Sequence, residues 1–90
     1  MSLDEAARQL KLAVHDAQVA FDCVGLGDLE RAQEHVLTAR AATDAAMTVV
    51  AHSLKHLTPE QARAQGEHAV MALEDAPPSR SAGGASPSPR

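Results

Sequence analysis

The sequence predicts an all-α fold: a long antiparallel helical hairpin and a short third helix, with two hairpins completing a four-helix bundle as a dimer. Three observations predict it. Apolar residues recur by threes and fours along most of the chain, the period that gathers side chains on one face of a helix. The pattern is punctuated at Gly25-Leu26-Gly27-Asp28 and at Leu57-Thr58-Pro59, both of which combine a helix stop with a helix start. The final stretch, APPSRSAGGASPSPR at 76–90, has too little apolar content to offset the entropy of ordering it. The expected organisation is therefore one helical domain over 1–75 and a disordered tail over 76–90.

The first helix is expected to start at Ser2-Leu3-Asp4-Glu5, read as a capping box in which the hydroxyl accepts from the first turn. Its apolar positions Leu3, Ala6, Ala7, Leu10, Ala13, Val14, Ala17, Phe21 and Val24 share a face, and the glycines at 25 and 27 end it. Asp28 is a good N-cap for the second helix, with Glu30 near the positive end of its dipole. The stripe resumes as Leu29, Ala32, Val36, Ala39, Thr43, Met47, Val50, Leu54 and Leu57, roughly 43 Å at 1.5 Å per residue. So short a connection makes the two helices antiparallel, with one end of the longer second helix overhanging. Thr58-Pro59-Glu60-Gln61 then supplies a capping hydroxyl, a proline at the first helical position and a reciprocating glutamine. The third helix is expected to reach about Glu74, on a small stripe of Ala62, Gly66, Ala69, Val70 and Leu73.

A second apolar face bears on function. Leu12, Val19, Cys23 and Leu26 fall opposite the main stripe of the first helix, and a helix apolar on both sides has two neighbours. One is the second helix; the other is the third helix folded back or the first helix of a second chain. On the second helix Ala41, Ala42, Ala45 and Val49 form a smooth back that permits close helix approach. These residues, Leu12, Val19, Cys23 and Leu26 with Ala45 and Val49 second, are the expected interaction surface for a homodimer or another helical protein in a coiled-coil-like pairing.

Composition narrows the function classes. Phe21 is the only aromatic residue, so the core is thin, and a chain this short needs dense packing or a partner. Cys23 is the only cysteine, which excludes an intrachain disulfide and a multi-cysteine zinc site and suggests a reducing compartment. With no charged leader before an apolar run and no stretch near ~20 apolar residues, a cytoplasmic setting without membrane contact is expected. Residues 1–75 carry six basic and twelve acidic side chains, a balance opposed to phosphate-backbone binding and hence to nucleic acid.

His52 and His56, four residues apart, share a helical face as a metal pair requires. A closed zinc site needs two further ligands, and the nearest in sequence are Glu60, Glu67 and His68. Exposed histidines near a helix C-terminus, favoured by its dipole, also explain the pair, and no metal or cofactor is expected. Ala51-His52-Ser53-Leu54-Lys55 resembles the phospho-accepting motif of histidine phosphotransfer domains. Those are helical bundles in which the histidine takes the phosphoryl group and the lysine helps hold it. The resemblance implies His52 as acceptor and Lys55 as its helper. The match spans five residues and departs at His56, where that family usually has glycine, and at Thr58-Pro59, where a new helix begins. Histidine kinase dimerisation helices also pair as hairpins with a proline after their histidine, but the intervening residues differ here.

The residues Val19, Ala20, Cys23, Gly27, Asp28, Ala32, Val36 and Ala39 are spaced like those of a tetratricopeptide repeat, in which small residues let two antiparallel helices meet. Asp44 stands near where that repeat has proline, and no second full copy follows, so the resemblance supports a hairpin rather than a repeat array. The small hairpins of the WxG secretion class have similar length, but the turn here has no Trp. There is no glycine-rich phosphate loop, strained serine elbow or HExxH. Cys23 on an apolar stripe reads as packing, and a non-enzymatic interaction module is the expected function.

Overall fold

A computed structural model describes residues 2–74; the expected disordered tail, 76–90, lies outside the described residues. Three helices, α1 (Leu3–Gly25), α2 (Leu29–His56) and α3 (Pro59–Glu74), account for nearly all of them, and no strand occurs among the described residues.

The signals at the two corners act as their chemistry requires. Between α1 and α2, Gly27 adopts φ 75°, a left-handed conformation in which other residues carry a Cβ penalty. Its N–H donates to Val24 O at 3.0 Å, and the Asp28 N–H donates to Cys23 O at 2.9 Å. Two of the unpaired carbonyls at the end of α1 are thereby satisfied in the pattern of a Schellman motif. The Asp28 carboxylate then accepts from Arg31 N at 3.2 Å and opens α2. At the second corner Gln61 N donates to Thr58 Oγ1 at 3.1 Å and Thr58 N donates to Gln61 Oε1 at 2.9 Å. Leu57, extended at φ −110° and ψ 142°, turns the chain between them.

The start of α1 departs from expectation. The Ser2 side chain makes no capping bond; its backbone carbonyl accepts from Glu5 N and Ala6 N. The Glu5 carboxylate is held within its own turn instead. Gln9 donates to it at 3.1 Å, Arg8 pairs with it, and these partners set its pKa below the usual carboxylate value.

The face on which the helices meet also differs. The buried residues of α1 are Ala6, Ala13, Asp16, Ala20 and Cys23, and those of α2 are Ala32, Ala42, Ala46, Val49 and Ser53. With half-buried Gln9, His35 and Ala39, both series advance by steps of three and four. The hairpin therefore closes on its small residues. Phe21, Val24, Leu29 and Met47, expected inside, are all at least 59% exposed. The reason lies in the sequence itself. On each helix two apolar stripes with the same spacing run one residue apart, one of small side chains and one of large, so periodicity cannot distinguish them. The small stripe lets the backbones approach, whereas large side chains in the same seam would hold them apart.

α3 folds back along α1, parallel to it and antiparallel to α2. Leu3 Cδ1 comes within 3.9 Å of where a Cβ on Gly66 would stand. Farther along, Ala7, Leu10 and Val14 of α1 share a cleft with Val70 and Leu73. Lys11 Nζ donates to Leu73 O at 3.4 Å, placing a cation at the negative end of the α3 dipole. Ala69, on this face, is the one residue of α3 that is fully buried.

The seam makes a stability prediction. Replacing Ala46 with Leu should lower the unfolding free energy by about 1–3 kcal/mol through overpacking. Leu37→Ala, at a position 56% exposed, should change it by about 0.5 kcal/mol or less. Urea denaturation followed by circular dichroism measures both, and equal losses would contradict the small-residue seam.

Candidate interaction surface

Because α1 and α2 run in opposite directions, the positions that follow the seam by one step on each helix lie on the same side of the hairpin. Leu3 accordingly shares a cleft with Val50 and Leu54 of α2, with Leu57 at the corner, and with Pro59 and Ala62 of α3. This is the side on which α3 lies, but α3 is short and packs mainly against α1. Beyond it the side stays open, with Phe21 at 74% and Val24 at 59% exposure on α1. On α2 Leu29, Val36, Met47, Val50 and Leu54 are exposed along the whole helix, Leu54 to 82%.

The residues singled out from sequence as an interaction surface divide between two places. Leu12, Val19, Leu26 and Ala45 flank the seam on the side away from α3. Leu12 and Leu26 are exposed, Val19 is half-buried and Ala45 is exposed. Cys23 and Val49 instead lie within the seam, at 8% and 4% exposure. They pack between α1 and α2 of the same chain and cannot present themselves to a second one. α3 does fold back, but onto the side of Leu3, Ala7 and Leu10 rather than onto Leu12, Val19 and Leu26.

A polar contact inside the seam was not anticipated. Asp16 is 5% exposed, and its Oδ1 lies 2.9 Å from His35 Nδ1. The two share one hydrogen bond, whose direction follows the tautomer of the ring. Oδ2 is buried and has no partner, an arrangement that costs free energy in a site shielded from water. The signal that would have found it is the small-residue register: Asp16 stands three residues after Ala13 and four before Ala20, in step with the seam.

His52, Lys55 and His56 occupy the exposed end of α2, on a shallow hollow shared with Asp44, Met47, Thr48 and Ala51. The His52 and His56 ring centroids are 4.2 Å apart at an interplanar angle of 39°, so the two exposed rings stand side by side. Among the described residues no three His, Cys, Asp or Glu side chains are grouped to hold a metal ion. No helix among them is long and apolar enough to cross a membrane.

Fold and surface together define a class: a three-helix chain closed on alanines, with its larger apolar side chains outside. Comparison with protein-family models, with curated proteins and with solved structures gave no match.

The seam pair predicts an asymmetry. His35→Ala leaves the Asp16 carboxylate buried and unpaired and should cost about 1–3 kcal/mol. Asp16→Ala extends the alanine seam, removes the unpartnered oxygen with the pair and leaves only the half-buried His35 ring, so it should cost less than His35→Ala. Denaturation midpoints at neutral pH give the comparison; equal destabilisation by both would mean that the contact favours the hairpin.

Proposed function

We propose that the chain is a non-enzymatic helical assembly module that self-associates, two hairpins forming a four-helix bundle with coiled-coil character. One observation supports this reading above others: the side chains with most apolar surface to bury are outside, and none of the large ones is fully buried. Covering one Val, Leu, Phe or Met side chain is worth about 1.5–3 kcal/mol, while association costs roughly 4–15 kcal/mol. Two or three half-exposed side chains do not meet that cost, but a whole stripe contributed by each of two chains does. The setting we assign is the reducing cytoplasm, where the single buried thiol of Cys23 stays free. The acidic balance of residues 1–75 makes a protein the partner rather than a nucleic acid.

Sedimentation equilibrium across a concentration series tests self-association. The expected mass is twice the 9.4 kDa of the chain, and a single-chain mass at every concentration would overturn the reading.

The His52 region yields a separate expectation. Treatment with a small-molecule phosphodonor should leave no acid-labile phosphate on the chain. An adduct lost in His52→Gln would instead establish phosphotransfer, with Lys55 as its helper. Zinc affinity should likewise be weak and unchanged by His52→Ala; a large loss would make His52 and His56 a metal pair.

A further inference from the structure

We propose that the second copy covers the α2 stripe in antiparallel register, with the two-fold axis passing beside Thr43. This rests on the self-association reading above and adds the surface, the orientation and the register. Leu29, Val36, Thr43 and Val50 follow one another at intervals of seven residues on the same side of α2, and Leu57, its C-cap, continues the interval at the corner. The series is symmetric about its middle member. Run in the opposite direction on a second copy, it brings Leu29 level with Leu57, Val36 level with Val50 and Thr43 level with itself. An isologous two-fold contact requires that self-complementarity.

Charge selects the same arrangement. Arg40 and Asp44 flank Thr43 on the outer side of the stripe, and both are exposed. Neither enters an ion pair within the described residues, where the pairs are Arg8–Glu5 and Asp16–His35. In the antiparallel register Arg40 of one copy stands about two residues, or ~3 Å, from the level of Asp44 on the other, and symmetry makes the contact twice. A parallel register would put Arg40 of one copy and Asp44 of the other on opposite flanks of the contact, leaving both unpaired. Thr43 itself carries no penalty into the contact, because its hydroxyl already donates to Ala39 O at 2.8 Å and is satisfied within the helix.

Other parts of the chain do not suit this stripe. Residues 75–90 contain no Leu, Ile, Val, Met or Phe. α3, with 16 residues, spans ~24 Å against the ~42 Å of the stripe, and it lies mainly on α1.

The test uses the full chain with Cys23→Ala, which keeps a small residue in the seam, and one new cysteine. Under mild oxidation at a concentration where sedimentation gives dimer, Thr43→Cys should form a disulfide-linked dimer at least tenfold faster than Thr48→Cys or Leu26→Cys. In the unmodified chain Arg40→Asp should weaken dimerisation at least tenfold, and Arg40→Asp with Asp44→Arg should restore it, helicity being unchanged throughout. A dimer that links through Leu26→Cys and ignores Arg40→Asp would overturn this interface and leave self-association standing. A dimer linked by neither cysteine and indifferent to the charge swap would overturn it equally, and a monomer at every concentration would overturn both readings.

Discussion

The hairpin depends on the close approach of α1 and α2 over small side chains. Ala6, Ala13 and Ala20 on one helix and Ala32, Ala42 and Ala46 on the other are each buried to 8% exposure or less. A seam of this kind gains its contacts from backbone and Cβ atoms brought close together, and each contact is individually small. It also takes only one face of each helix. The larger apolar side chains are displaced onto the flanks, where α3 reaches some of them and water reaches the rest. Thin core and apolar exterior are thus two consequences of one choice of seam.

The same choice explains the polar pair. An alanine layer leaves room for a carboxylate and an imidazole, which a leucine layer would not. Asp16 and His35 sit at matching heights and meet at 2.9 Å. A half-satisfied carboxylate contributes little to stability, but it distinguishes one register from its neighbours, because sliding either helix by a turn would set Asp16 against alanine. Alanine seams are otherwise nearly featureless along their length. A polar pair that penalises the wrong alignments fixes the height at which the smooth faces meet, a role best attested for single polar residues in helical interfaces.

Which parts of this were legible in the sequence follows from the range of each interaction. Local signals were readable: the Thr58 and Gln61 reciprocal cap, Asp28 at the start of α2 and Gly27 at the turn all depend on neighbours within a few residues. The Ser2 cap was the exception, since Glu5 found Gln9 and Arg8 in its own turn. The seam was not readable from periodicity alone, because Ala13 and Val14, or Ala46 and Met47, occupy adjacent positions in stripes of equal spacing. Preference for the larger side chains assumed that transfer out of water decides the contact face. At short interhelical distance steric fit decides it, and Cys23 and Val49 moved from the expected surface into the seam for that reason.

The short third helix sharpens what remains outside. Had α3 been as long as α2 and centred over the groove, it would have covered the flank and completed a three-helix bundle, with little apolar surface left over. At 16 residues against 28, and tied to α1 through Leu3 and Lys11, it leaves α2 uncovered from Leu29 to Leu54. An exposed stripe of that length on a chain with so thin a core carries a standing cost in water unless something covers it. Its symmetry about Thr43, flanked by one arginine and one aspartate, makes the stripe complementary to its own reverse. The asymmetry of the chain, a half-length third helix on one arm, thus leaves its most symmetric surface free.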